Sequence, residues 1–266
     1  SRYGGYDVTV TGSSSFSNDT RAINVSHGGN LTVDSTTTIT NPTDGILLNN
    51  TGPSADLNPT INNASDEAVN VTNASTNTSL TSATFDGSGA SGDTGLNFTD
   101  TAYRSNLSVG SSVSFSGFDI AAVNLANASG HAGSNNYGPE TVVTIDGATF
   151  TDSTGDGVRF SNSFGNNTEI VESTFDNVST GINASSVATE FSLSAHFNTF
   201  TDTQEGVLVN DGAATDVSVT FNDFTSNAEA INVTSTSNRV NATYNYFGTT
   251  YGPGGEVAGN SVVNRK

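Results

Sequence analysis

Phe150, Phe175, Phe200 and Phe224 stand 25, 25 and 24 residues apart, in the strings GATFTD, ESTFDN, FNTFTD and FNDFTS. After each comes a short polar turn and then a small residue ahead of a branched apolar one, in GVRF, GINA, GVLV and AINV. Before each lies an alternating stretch: VVTID, EIVES, FSLSAHF or DVSVTF. A fixed internal period of this length restricts a chain to architectures in which every unit is one turn, blade or hairpin of an array.

The first half follows the same rule in weaker letters. Phe16, Ile39, Ile61, Phe85 and Phe118 take the Phe place, at spacings of 23, 22, 24 and 33. The small-apolar pairs there are Ala22-Ile23, Gly45-Ile46, Ala68-Val69, Gly95-Leu96 and Ala122-Val123. Two steps are long, and the surplus of the second fits the insertion ASGHAGSNNYGPE at 128–140. No stretch sustains apolar residues at spacings of three and four, so helical solenoids are excluded. A propeller blade needs about 40 residues. The expected fold is therefore all-β: a single-stranded parallel β-helix, or solenoid, of about nine to ten coils of 22–25 residues. It should occupy residues 1–250, leaving 251–266 as a polar tail or linker. Coils about 4.8 Å apart would build a rod roughly 45 Å long, with the Phe column inside.

This pattern resembles the right-handed parallel β-helix repeats, the pectate-lyase-like superfold, of secreted and cell-surface proteins, including archaeal ones. The most specific piece is NYFGTTYGPGG at 245–255, similar to the Asn-aromatic-aromatic-Gly…Gly-Pro signature that closes the last coil in that group. Tyr246 and Phe247 stand here where tryptophan is usual. Right-handedness is what the resemblance implies.

Charge narrows the function classes. The 266 residues carry 7 basic against 26 acidic side chains, a net charge of −19, and Lys266 is the only lysine. Such a surface repels phosphate backbones and excludes nucleic-acid binding. It suits a protein kept soluble in concentrated salt, where screening removes self-repulsion, so a halophilic, haloarchaeal origin is expected. The absence of cysteine removes disulfides, thiolate metal sites and cysteine nucleophiles. No apolar run reaches the length of a transmembrane helix, and the opening at Ser1 fits a mature processed form or a fragment.

The residue between the two apolar positions of each small-apolar segment faces outward. This column reads Asn24, Leu47, Asn70, Asn97, Asn124, Arg159, Asn183, Leu208 and Asn232. Five of its six asparagines begin Asn-X-Ser/Thr, so the column could carry glycans. The whole chain holds 16 such sequons: Asn18, Asn24, Asn30, Asn49, Asn63, Asn70, Asn73, Asn77, Asn97, Asn106, Asn127, Asn166, Asn177, Asn183, Asn232 and Asn241. The competing reading of the column is an amide ladder along a parallel sheet.

Catalytic groups are sparse. Asp152, Asp156 and Arg159, in TDSTGDGVRF, are the best cluster, but Asp, Ser, Thr and Gly are also ordinary turn residues. A glycosidase needs two carboxylates at a set separation, and no such pair is evident. The three histidines, His27, His131 and His196, fall on different units and make no metal set. Asp86 and Asp93 in DGSGASGDTG, like Asp152 and Asp156, are weak candidates for Ca²⁺, and no other cofactor is expected. The seven tyrosines look scattered, with no outward column. A solenoid exposes strand edges at its ends, which invites head-to-tail stacking or a covering partner. The expectation is an extracellular, non-enzymatic structural module carrying N-linked glycans. It would be a subunit or repeat of a cell-surface layer (S-layer), filament or adhesin, self-assembling or bound to other surface proteins. The alternatives are a carbohydrate-active β-helix protein (polysaccharide lyase, hydrolase or glycan binder) and a viral fibre or spike.

Overall fold

The computed structural model describes residues 7–26, 29–49, 54–72, 77–87, 93–99, 106–126, 142–161, 167–186, 191–209, 216–234, 240–248 and 262–264. The insertion at 128–140 lies outside them, as do His27 and His131. Every named element is a β-strand. The strands assemble into three parallel sheets of ten, nine and ten strands, each strand pairing with its equivalents one turn before and one turn after. The first coil consists of Val8–Val10, Ser15–Ser17 and Arg21–Ser26. The last coil with a strand in all three sheets runs through Asp216–Thr220, Asp223–Thr225 and Glu229–Val233. Beyond it, Val240–Asn241 joins the first sheet, Tyr246 bridges to Asp223, and Val262–Asn264 pairs with Glu229–Val233 in the third sheet. The solenoid thus draws in part of the segment read as a tail.

Strand alternation decides what goes inside. In the second sheet one residue per coil points to the core: Phe16, Ile39, Ile61, Phe85, Phe115, Phe150, Phe175, Phe200 and Phe224, in unbroken register. The rings from Phe115 through Phe150, Phe175 and Phe200 to Phe224 lie 4.7–5.2 Å apart and within 8° of parallel. Phe247 extends the stack past Phe224 at 5.7 Å. Each such pair adds about 0.5–1.5 kcal/mol beyond the area it buries.

Phe118, assigned to this column from spacing, is not in it. In Ser114-Phe115-Ser116 the strand turns Phe115 inward, while Phe118 follows the corner at Gly117, whose φ is +75°. Phe118 is fully buried and meets the Phe115 ring edge-on at 6.4 Å. The place three residues past the column is otherwise held by buried groups such as Ser153, Val178, Thr203 and Asn227. The two long steps therefore measure 30 and 35 residues.

The small residue of each pair has a steric cause. A Cβ on Gly157, Gly181 or Gly206 would sit 2.6, 2.6 or 2.5 Å from the ring of Phe175, Phe200 or Phe224 in the next coil. Glycine and the Phe column are thus one packing unit. Sharp corners between the second and third sheets are made by single left-handed residues: Asn18, Asn41, Asn63, Gly117, Asp152, Asn177, Asp202 and Ser226. Asn and Asp tolerate this conformation better than other non-glycine residues. They also bond along the rod, Asn41 Nδ2 to Asn18 Oδ1 at 3.1 Å and Asn63 Nδ2 to Asn41 Oδ1 at 3.0 Å.

Truncating one ring in mid-stack tests the column. Phe175→Ala is expected to lower the free energy of unfolding in denaturant titrations by about 3–5 kcal/mol. A loss under about 1 kcal/mol would contradict a continuous stacked core.

Candidate functional site

The third-sheet column emerges in the expected register: Asn24, Leu47, Asn70, Asn97, Asn124, Arg159, Asn183, Leu208 and Asn232 pair in succession. Its amides are engaged across coils. Asn97 Nδ2 donates to Glu67 Oε1 at 3.1 Å, Asn183 Nδ2 to Asp156 Oδ2 at 2.8 Å, and Asn232 Nδ2 to Glu205 Oε1 at 2.6 Å. Asn124 Nδ2 donates to Asn97 Oδ1 at 3.0 Å. These bonds favour the ladder reading along this sheet, since glycan attachment requires a reachable Nδ2.

Other sequons are more open. Asn18, Asn24, Asn63, Asn77, Asn106, Asn177 and Asn241 are exposed, whereas Asn30, Asn49, Asn70, Asn97, Asn183 and Asn232 are half-buried. Asn73, Asn127 and Asn166 lie outside the described residues. Asn18, Asn63 and Asn177 share the left-handed corner, and Asn77 and Asn106 pair as neighbours at the start of first-sheet strands.

The candidate acidic residues do not gather into one site. Asp152, at an exposed corner, accepts from Asn177 Nδ2 at 2.9 Å. Asp156 is buried in the third sheet, 3.9 Å from Arg159 Nε. Burial raises its pKa above the ordinary value, against the lowering effects of Asn183 and Arg159. Asp93, fully buried, exchanges backbone-to-carboxylate bonds with Asp119 at 2.7 and 2.9 Å. Its pKa is pushed up to about 6, mainly by desolvation. Asp86 lies half-buried in the strand Thr84–Asp86.

One carboxylate group was not foreseen. Oxygens of Asp44, Asp66 and Glu67 lie within 4.8 Å of one another. Asp44 also takes Arg21 Nε at 2.6 Å. Oxygen donors of this kind suit hard cations such as Ca²⁺, though Arg21 already supplies a positive charge. Desolvation, then Asp66 and Asp44, raise the Glu67 pKa to about 7. Adjacency of Asp66 and Glu67 was visible in the sequence. Asp44 joins them only because it stands one coil earlier.

An outward aromatic column also exists, against the sequence expectation. Phe197, Phe221 and Tyr244 are 54, 49 and 77% exposed. Their rings stack at 5.3 and 5.0 Å. The signal was a repeated aromatic-Asn-x-Phe, in FNTF, FNDF and YNYF. The asparagine of each turns inward: Asn222 Oδ1 accepts from Asn198 N, and Asn245 Oδ1 from Asn222 N, both at 2.9 Å. Their amide nitrogens donate to the carbonyls of Ile170, Ala195 and Val219 at 2.7–2.9 Å. His196 meets Phe197 edge-on at 5.3 Å and lies 3.6 Å from Glu169. Beside it on the first sheet runs an open groove of about 520 Å³, lined by Thr144, Glu169, Ser192, Ser194, Asp216, Ser218 and their neighbours.

Raised carboxylate pKa values set a pH dependence. Above their unfolded pKa values, Glu67 and Asp93 bind protons more tightly folded than unfolded, so stability falls as pH rises from about 4 to 7. Denaturant midpoints should be higher at pH 5 than at pH 8. Glu67→Gln should raise the midpoint at pH 8 and flatten the profile. A wild-type midpoint that climbs across this window would contradict the assignment.

Compared with protein-family models, with curated proteins and with solved structures, the chain matches none.

Proposed function

We propose that the protein is a rigid structural module of a cell surface, extracellular and N-glycosylated, serving as a subunit or repeat of a surface layer, filament or adhesin. The observation that carries this reading is the in-register stacking of three parallel sheets along the whole described chain, which makes a stiff rod. Several described carboxylates support it too: Asp44 is ion-paired with Arg21, and Glu67, Asp156 and Glu205 accept from third-sheet amides. An acidic, nearly lysine-free surface is consistent with a halophilic, archaeal setting, where salt screens the net charge of −19.

Intact mass and glycopeptide mapping of native material test the reading. Glycan is expected on at least three of the exposed asparagines Asn18, Asn24, Asn63, Asn77, Asn106, Asn177 and Asn241. Asn97, Asn183 and Asn232, half-buried as well as bonded to carboxylates, should stay unmodified. An unmodified mass of 27.2 kDa would remove the glycosylated, extracellular part of the proposal.

A further inference from the structure

The corner between the first and second sheets calls for a left-handed residue in each later coil. Gly147 and Glu172 fill it in two successive coils, with φ of +74° and +51°. In the next three coils the same place holds Phe197, Phe221 and Tyr244, at +58°, +58° and +62°. A bulky L-residue in this conformation costs roughly 1–2 kcal/mol, and glycine or asparagine would avoid most of that cost. Core packing does not offset it, because Phe197, Phe221 and Tyr244 are 54, 49 and 77% exposed. Local backbone strain combined with exposed apolar area marks a surface with a role outside the fold.

We propose that this aromatic ladder, with the groove beside it, is the contact through which a second copy of the chain lies alongside the first. The inference rests on the reading of the protein as an assembling structural module and names the face it would use. Three observations select a second copy as the occupant. The first is pitch: the rings repeat every 5.0–5.3 Å along the rod. An extended peptide presents same-face side chains at about 6.6 Å, whereas another copy of this ladder repeats at the same interval.

The second is ring orientation. The planes of Phe221 and Tyr244 lie within 10° and those of Phe197 and Phe221 within 24°. The rings therefore cover one another's faces and offer their edges outward. Sugar stacking uses faces, while ring edges pack against other aromatic side chains.

The third is area. At about 200 Å² per side chain, the exposed portions of the three rings amount to roughly 350 Å². That is less than half of the ~800 Å² per partner in a standard interface. The adjoining groove supplies a seat for the remainder. The ladder occupies the last three coils, and the groove runs from Val142 to Ser218 over the coils that precede and overlap them. A two-fold axis across the rod sets the two ladders edge to edge, with each copy's groove flanking the contact, a self-complementary and closed arrangement.

Each copy carries −19, so the pairing is opposed at low salt and released by screening, whose length falls to about 3 Å at 1 M. The association constant should rise with salt.

Sedimentation equilibrium of the full chain, from micromolar to millimolar concentration in low and in molar NaCl, reads this directly. The expected result is a monomer at low salt and a concentration-dependent species of twice 27.2 kDa at high salt. Phe221→Asn should weaken that association at least tenfold while leaving the thermal midpoint unchanged or raised, because asparagine tolerates the left-handed corner. Ile120→Ser, an exposed apolar position off the ladder, should leave association intact. A chain that assembles equally well with Phe221→Asn overturns the ladder interface and leaves the assembling-module reading standing. A chain monomeric under every condition overturns both. Retardation in gels containing a neutral polysaccharide, abolished by Phe221→Asn, would reassign the ladder to glycan binding and overturn the inference.

Discussion

Everything in this molecule depends on each coil lying in register on the one before it. Parallel strand pairing brings identical positions of successive coils close together, so any favourable contact made once is repeated along the rod. Phe150, Phe175, Phe200 and Phe224 gain from this as stacked rings, and Asn198, Asn222 and Asn245 as a chain of inward-turned amides. The same repetition amplifies errors. A one-residue slip would turn every core side chain outward, and the glycines beneath the Phe column would then meet no ring. Register is held by packing on the inside and by left-handed corners at the edges.

On the outside, repetition produces a problem of its own: like charges one coil apart repel. Glu205 and Glu229 are direct neighbours in the third sheet. The chain tempers this with amides, since Asn97, Asn183 and Asn232 each donate to a carboxylate of the preceding coil. Where carboxylates crowd, as at Asp44, Asp66 and Glu67, Arg21 supplies a cation and Glu67 holds its proton more tightly. The acidic surface is arranged, coil by coil, to lower the cost of its own charge.

Much of the fold was legible in the letters because the strongest signals repeat. The small-apolar pairs located the third sheet, and its Asn column fell into register as expected. Phe118 was misplaced because counting from Phe85 cannot separate two phenylalanines three residues apart, whereas strand alternation can. The exposed ladder went unseen because a Phe beside a column of buried Phe reads as core. A single left-handed residue reverses that sense and turns Phe197, Phe221 and Tyr244 outward. The acidic group and the engaged sequon amides were hidden for another reason. Both depend on partners 23–30 residues away in sequence and one coil away in space.

The three-sheeted stack also fixes how the chain responds to tension. Each coil is held mainly by its two neighbours, so force that pulls the chain from an end opens one coil at a time. One coil of about 24 residues releases on the order of 80 Å of chain at ~3.3–3.6 Å per residue. The rod would therefore lengthen in discrete steps under load and dissipate work at each, while the coils not yet opened keep their stacked rings and their stiffness.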